Sequence, residues 1–186
     1  MTNENYGKQI AVVLAAIEQL YADSSKLLQD CDGSIGKGKN SIFGNEVTRD
    51  LSRAISGHAG WMPTALYRYY DASKQAPGLV EGVTICFRDE VGVDPPRLEE
   101  PLLLVGQIQY HMEDTVPLRS LVLPWTLWNC YFLWSQTRPL NEVISYPAEL
   151  DRGIPKMKVI VVPLFSINSV VMVQQLLERV DQFTGR

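Results

Sequence analysis

A glycine- and lysine-rich stretch, Gly33-Ser34-Ile35-Gly36-Lys37-Gly38-Lys39-Asn40, comes nearest to a recognisable chemistry. Glycines let backbone N–H groups approach phosphate oxygens, and a following lysine supplies charge. Gly33, four residues, Gly38 and Lys39 fit a phosphate-loop pattern. Asn40 departs from it, standing where Ser or Thr would reach magnesium, and Ser41 comes one place late. The context departs as well, because a phosphate loop follows a buried strand and this one follows an amphipathic helical pattern. Two readings remain. In one, Lys37, Lys39 and Arg49 hold an anion at the N-terminus of a second helix, and Lys39→Ala abolishes binding while leaving the fold intact. In the other, the stretch is a mobile helix–helix linker kept soluble by its lysines.

A second group of polar residues sits in strand-like sequence. Val83, Ile85 and Phe87 alternate with Thr84, Cys86 and Arg88, and Leu102, Leu104, Ile108, Tyr110 and Met112 alternate with Gln107, Gln109 and His111. If the apolar sets point one way, Arg88, Gln107, Gln109, His111, Thr84 and Cys86 point the other, as a ligand-facing wall or a solvated sheet surface. Leu103 and Val105 share that second side and partly cover it. Nucleophilic catalysis needs a nucleophile, a base and an orienting group; Cys86 with His111 is the pair that shares a sheet face. Zinc wants three or four ligands at short spacing, and with only His58 and His111 in the chain no metal site is expected. Tyr67, Arg68, Tyr69 and Tyr70 are read as cross-strand packing rather than a base-stacking platform.

The elements that would position these residues follow from hydrophobic period. Ile10, Val13, Leu14, Ile17, Leu20, Tyr21, Leu27, Leu28 and Cys31 recur at helical spacing and predict a helix over 7–31, stopped by Asp32-Gly33. Asn45 is placed to cap a second helix burying Val47, Leu51, Ala54 and Ile55, ended by Gly57 and Gly60. Period-two and aromatic patterns predict strands over 61–70, around 83–87 and over 102–112. Residues 118–136 are ambiguous: Pro124 either ends a strand made of 120–123 or opens a helix over 124–136 carrying Trp125, Trp128 and Trp134, and the helix is preferred. Short strands are expected over 142–146 and 158–165, and Asn168 caps a last helix carrying Val170, Val173, Leu176, Leu177 and Val180.

Strands that run together rather than alternating with helices predict an α+β fold: a mainly antiparallel sheet of about five strands flanked by helices, with an N-terminal helical pair. The 186 residues fit a single domain, with a helical segment over 1–57 and a sheet-containing core over 61–186. A net charge of −4 gives no footprint for nucleic acid. Three dispersed cysteines, no basic N-terminal region ahead of an apolar stretch, and no apolar run long enough to span a bilayer place the expectation in the cytoplasm. The sequence names no cofactor. The function expected is a non-catalytic ligand-binding or protein-interaction module that associates with itself, through the first helix or the Trp-rich segment. The alternative is a small enzyme or switch that binds a phosphorylated ligand at loop 33–40.

Overall fold

The computed structural model describes residues 3–47, 63–87, 98–112, 116–134, 139–148 and 155–182. It is α+β, with strands β1 (Asn40–Ser41), β2 (Ala65–Asp71), β3 (Leu79–Cys86), β4 (Leu102–Gln109), β5 (Val143–Tyr146) and β6 (Lys156–Pro163). Every pairing is antiparallel and the order is β1-β2-β3-β4-β6-β5. The sixth strand, beyond the five expected, is the two-residue β1. The helices are α1 (Asn3–Ser34), a single turn α2 (Leu118–Leu121), a short α3 (Thr126–Asn129) that widens into a π-helix over Cys130–Trp134, and α4 (Val170–Gln182).

Both faces of the sheet are covered, which corrects the expectation of one solvated face. On one face Leu66, Tyr70, Val83, Ile85, Leu103, Val105, Ile160 and Val162 meet Leu28 and Cys31 of α1, Ile35 just beyond it, and Val173, Leu176, Leu177 and Val180 from α4. On the other, Tyr67, Tyr69, Val80, Leu104, Ile108, Met157, Val159 and Val161 meet Leu127, Trp128, Tyr131 and Phe132. The Trp-rich segment is therefore helical, as preferred, and its buried aromatics are core. Residues 118–121 form a helical turn, not a strand. Gly82 and Gly106 are register partners, and Leu127 lies over them: a Cβ on Gly106 would stand 2.9 Å from Leu127 Cδ2 and 2.5 Å from the Lys158 carbonyl oxygen. Two strand glycines side by side make the hollow that α3 fills. The Tyr69 hydroxyl ties α3 down, accepting from Leu127 N–H at 3.3 Å and donating to Pro124 O at 3.1 Å.

Of the expected N-terminal pair, the first helix is α1, which at Asn3–Ser34 runs a few residues beyond 7–31 at both ends. Asn45–Val47 are not helical, Val47 O accepts from Tyr67 N–H at 2.9 Å, and the rest of the expected second helix lies outside the described residues. Loop 33–41 is neither a phosphate loop opening a helix nor a helix–helix linker. It is a set of tight turns leading into β1, with Gly38 at φ 76°. Ser169, not Asn168, immediately precedes the first residue of α4.

Candidate functional site

Register places a polar row across the α1/α4 face of the sheet. Ser41, Tyr70, Glu81, Gln107, Lys158 and Ser145 are successive cross-strand partners from one edge to the other. Toward one end of the strands this face is apolar, in the rows Ile85–Leu103–Val162 and Val83–Val105–Ile160; toward the other it carries charge. Glu81, Gln107 and Lys158 are all buried, so each needs partners inside the protein. Lys39 ion-pairs with Glu81. The Gln107 side-chain amide donates to Asp181 in the last turn of α4. Burial pulls the Lys158 ammonium below its ordinary pKa, the Lys156 charge beside it pulls further, and Asp181 opposes both.

Next to the row, Arg68 fastens three elements together. Its Nε donates to Asp32 Oδ1 at 3.0 Å and its Nη2 to Asp32 Oδ2, while Nη1 donates to Gly44 O and, at 3.4 Å, to Ser41 Oγ. Tyr70 donates to the same Asp32 carboxylate at 2.9 Å. Burial, then the neighbouring Cys31 and Asp32, push the Tyr70 phenol upward. A cleft of about 500 Å³ opens over this cluster, lined by Asp32, Lys39, Asn45, Arg68 and Tyr70 among others. The cluster draws α1, β1 and β2 to one point, and a bidentate guanidinium–carboxylate pair fixes their relative orientation.

The expected site residues scatter over this frame. Lys39 ion-pairs with Glu81, and Gln107 is the cross-strand partner of Glu81, so these two expected residues fall on the same row. Gln109 lies one row further out and donates to Pro77 O at 2.6 Å. His111 is exposed and follows the end of β4. Lys37 is exposed, and Arg49 and Arg88 lie outside the described residues. Three of the loop's backbone N–H groups already have acceptors: Gly36 donates to Cys31 O at 2.9 Å, Lys37 to Ser34 O at 3.3 Å and Lys39 to Gly36 O at 2.9 Å.

The expected common face of β3 and β4 is corrected by register. Thr84 and Cys86 pair with Leu104 and Leu102 on the α3 face, whereas Gln107 shares the opposite face with Val83 and Ile85. Cys86 therefore stands at the far end of the strands from His111, about 30 Å away at the rise of an extended chain. Cys31, Cys86 and Cys130 are buried, and burial with the adjacent Asp32 and Asp30 pushes the Cys31 thiol up to about 12. Among the described residues, no three His, Cys, Asp or Glu side chains converge as metal ligands.

Sequence reasoning gave Glu81 and Lys158 no role, and read Asp32 only as a helix stop and Arg68 only as cross-strand packing. Each is an unremarkable charged residue alone; strand pairing sets Glu81 and Lys158 in one row, and the end of α1 brings Asp32 to Arg68. The first helix, whose apolar stripe the sequence had offered as an association surface, leaves its first half uncovered. Tyr6, Ile10, Val12, Val13 and Leu14 of α1 are 66%, 48%, 69%, 56% and 55% exposed, because α1 is longer than the sheet it packs on. Its 32 residues extend about 48 Å, against about 27 Å for an eight-residue strand. No helix of the described residues is long and apolar enough to cross a membrane. Comparison with family models, curated proteins and solved structures finds no match.

Proposed function

We propose that the protein is a self-associating interaction module whose docking surface is the overhanging first half of α1. One observation carries this reading. Residues 10–17, Ile-Ala-Val-Val-Leu-Ala-Ala-Ile, are eight consecutive apolar residues on a helix, and all but Ile17 are exposed. A helix apolar on every side belongs inside something, and contiguous apolar surface of this kind marks an interaction site. A protein partner suits the segment better than a lipid surface. Helices that lie in a membrane interface carry Lys and Arg along their polar face, and between Tyr6 and Leu20 the charged residues are Lys8 and Glu18.

Sedimentation velocity over a wide concentration range tests the reading. Reversible association that Leu14→Asp removes without loss of helical content supports it. A strict monomer throughout refutes it.

The phosphorylated-ligand reading draws less support, because Lys39 is held by a buried carboxylate and the N–H groups of Gly36, Lys37 and Lys39 already have acceptors. Its test moves from Lys39 to Lys37, which is exposed. A melting-temperature rise with phosphorylated ligands that Lys37→Ala abolishes would favour it over the interaction module.

A further inference from the structure

From Tyr6 onward, α1 keeps an unbroken alternation of four- and three-residue steps: Tyr6, Ile10, Val13, Ile17, Leu20, Ser24, Leu27, Cys31. This is the seam of a helix built to pair along its length. The later part of the seam is covered by the protein's own core, where Leu20 and Leu27 pack beside buried Cys31. The earlier part is uncovered. Where the two meet, a groove of about 370 Å³, the volume of about a dozen waters, opens between α1 and the start of α4. Leu20, Ser24 and Leu27 line one side, and Leu164, Phe165 and Val170 the other. Ser24 is 2% exposed, and its hydroxyl has no hydrogen-bond partner among the described residues. Phe165, at 71%, stands exposed at the groove.

Resting on the self-association reading above, we propose that two copies pair antiparallel through α1, so that Tyr6 of each copy enters the groove of the other and its hydroxyl meets Ser24. The register follows from the seam. Antiparallel pairs place alternate seam positions opposite one another, and setting Tyr6 against Ser24 sets Ile10 against Leu20 and Val13 against Ile17. Six layers result, spanning about 27 Å, closed by a two-fold axis at Ala15. Leu14 meets Leu14 of the other copy beside that axis, and Gln9 comes opposite Asp23. No like charges are brought together. A parallel pair is blocked: beyond Leu20 the second helix would need the space that each copy's own sheet and α4 already fill. In the antiparallel pair only the first turn of the partner helix reaches that boundary, where the groove admits it.

Spin labels on Ala15→Cys and Gln29→Cys test the arrangement, both positions being exposed and on the side of α1 away from the seam. The native cysteines are buried and leave labelling selective. The antiparallel register gives an axial separation near zero at position 15 and about 42 Å at position 29. Tyr6→Ala, at an exposed position that leaves the fold intact, is expected to weaken the dimer at least about tenfold, with Tyr6→Phe in between. Equal distances at the two positions would overturn the antiparallel pairing while leaving self-association standing. The expected distances with an unchanged Tyr6→Ala dissociation constant would overturn the seating of Tyr6. A monomer without dipolar coupling would overturn this proposal together with the reading beneath it.

Discussion

Replacing Asp32 by Asn is expected to destabilise the protein more than replacing its partner Arg68 by Met, although both remove the same ion pair. The reason is unequal burial. Arg68 is 8% exposed, whereas the Asp32 side chain is 35% exposed. Asp32 also stands in the last turns of α1, where the helix carbonyls disfavour an anion and only a cation beside it makes the position favourable. Asp32→Asn leaves a guanidinium in the interior without its countercharge, with Gly44 O, Ser41 Oγ and the single amide Oδ1 as acceptors and the amide NH2 set against a second donor. Breaking a buried pair costs about 3–5 kcal/mol; since a third of Asp32 already faces water, the expected cost falls to about 2–3 kcal/mol. Arg68→Met keeps most of the packed volume and leaves a carboxylate that turns to water while still accepting from Tyr70, for about 1 kcal/mol. The double variant should resemble Arg68→Met alone, because once the cation is gone the amide costs little. Urea unfolding followed by circular dichroism measures all three. With a slope of about 2 kcal/mol per molar, Asp32→Asn moves the midpoint by about 1–1.5 M and leaves the slope unchanged. A larger shift for Arg68→Met, or additive shifts in the double variant, would refute the assignment of the buried charge to the arginine.

Three further outcomes follow from other parts of the fold. Lys39→Met leaves the Glu81 carboxylate unpaired at 2% exposure and should destabilise by about 3 kcal/mol, with Glu81→Gln in the same chain restoring most of it; thermal melts of the single and double variants check this. Gly106→Ala drives a Cβ against the Lys158 carbonyl oxygen, which is backbone and yields little, so the melting temperature should fall by about 4–8 °C for a cost near 2 kcal/mol. Burial raises Cys31 from 9.0 to about 12 and Tyr110 from 10.0 to about 12, so above the unfolded values the folded chain holds the more protons. Stability should therefore fall as pH rises from 9 toward 12; a denaturation midpoint that stays flat between pH 8 and 11 contradicts this, as would rapid reaction of the buried thiols with a disulfide reagent at pH 8.

The α+β class and most strands were legible because period two survives in strands flanked by turn residues, as in 79–86 and 102–109. Which face each strand turned to the core was not legible. Slipping a strand by one residue exchanges its two faces, and nothing in the sequence of Thr84 or Gln107 says that Thr84 faces α3 while Gln107 faces α4. With both faces buried, apolar residues on each side of β3 and β4 removed the contrast that fixes the reading. Glu81 and Lys158 sit in apolar runs where a lone charge suggests an outward position, and only pairing with Tyr70 and Gln107 reveals one row. The Trp-rich segment was ambiguous because its aromatic residues favour strands as much as a buried helix. Gly82 and Gly106 carried the missing information, since a glycine in a strand interior often marks close approach by another element, here Leu127.

The overhang of α1 and the polar row result from the same mismatch between helix and sheet. The sheet is shorter than the helix, so the end of α1 must be fixed at one edge and the rest projects from the other. Arg68 and Tyr70 fix that end by gripping Asp32, and Lys39 pins the turn behind it to Glu81, where the sheet face becomes polar. Such a grip orients the helix without covering its first half. Isolated helices of fewer than about 12–15 residues are marginal in water, and residues 3–19 scarcely exceed that length. Gly7 weakens the segment further, by about 1 kcal/mol relative to alanine. An apolar seam continued so far past its own core, in register with the part that is buried, is the surface that the proposed pairing would cover. On that proposal the exposed turns of α1 are one side of an interface, and the grip at Asp32 is what holds that side out from the sheet.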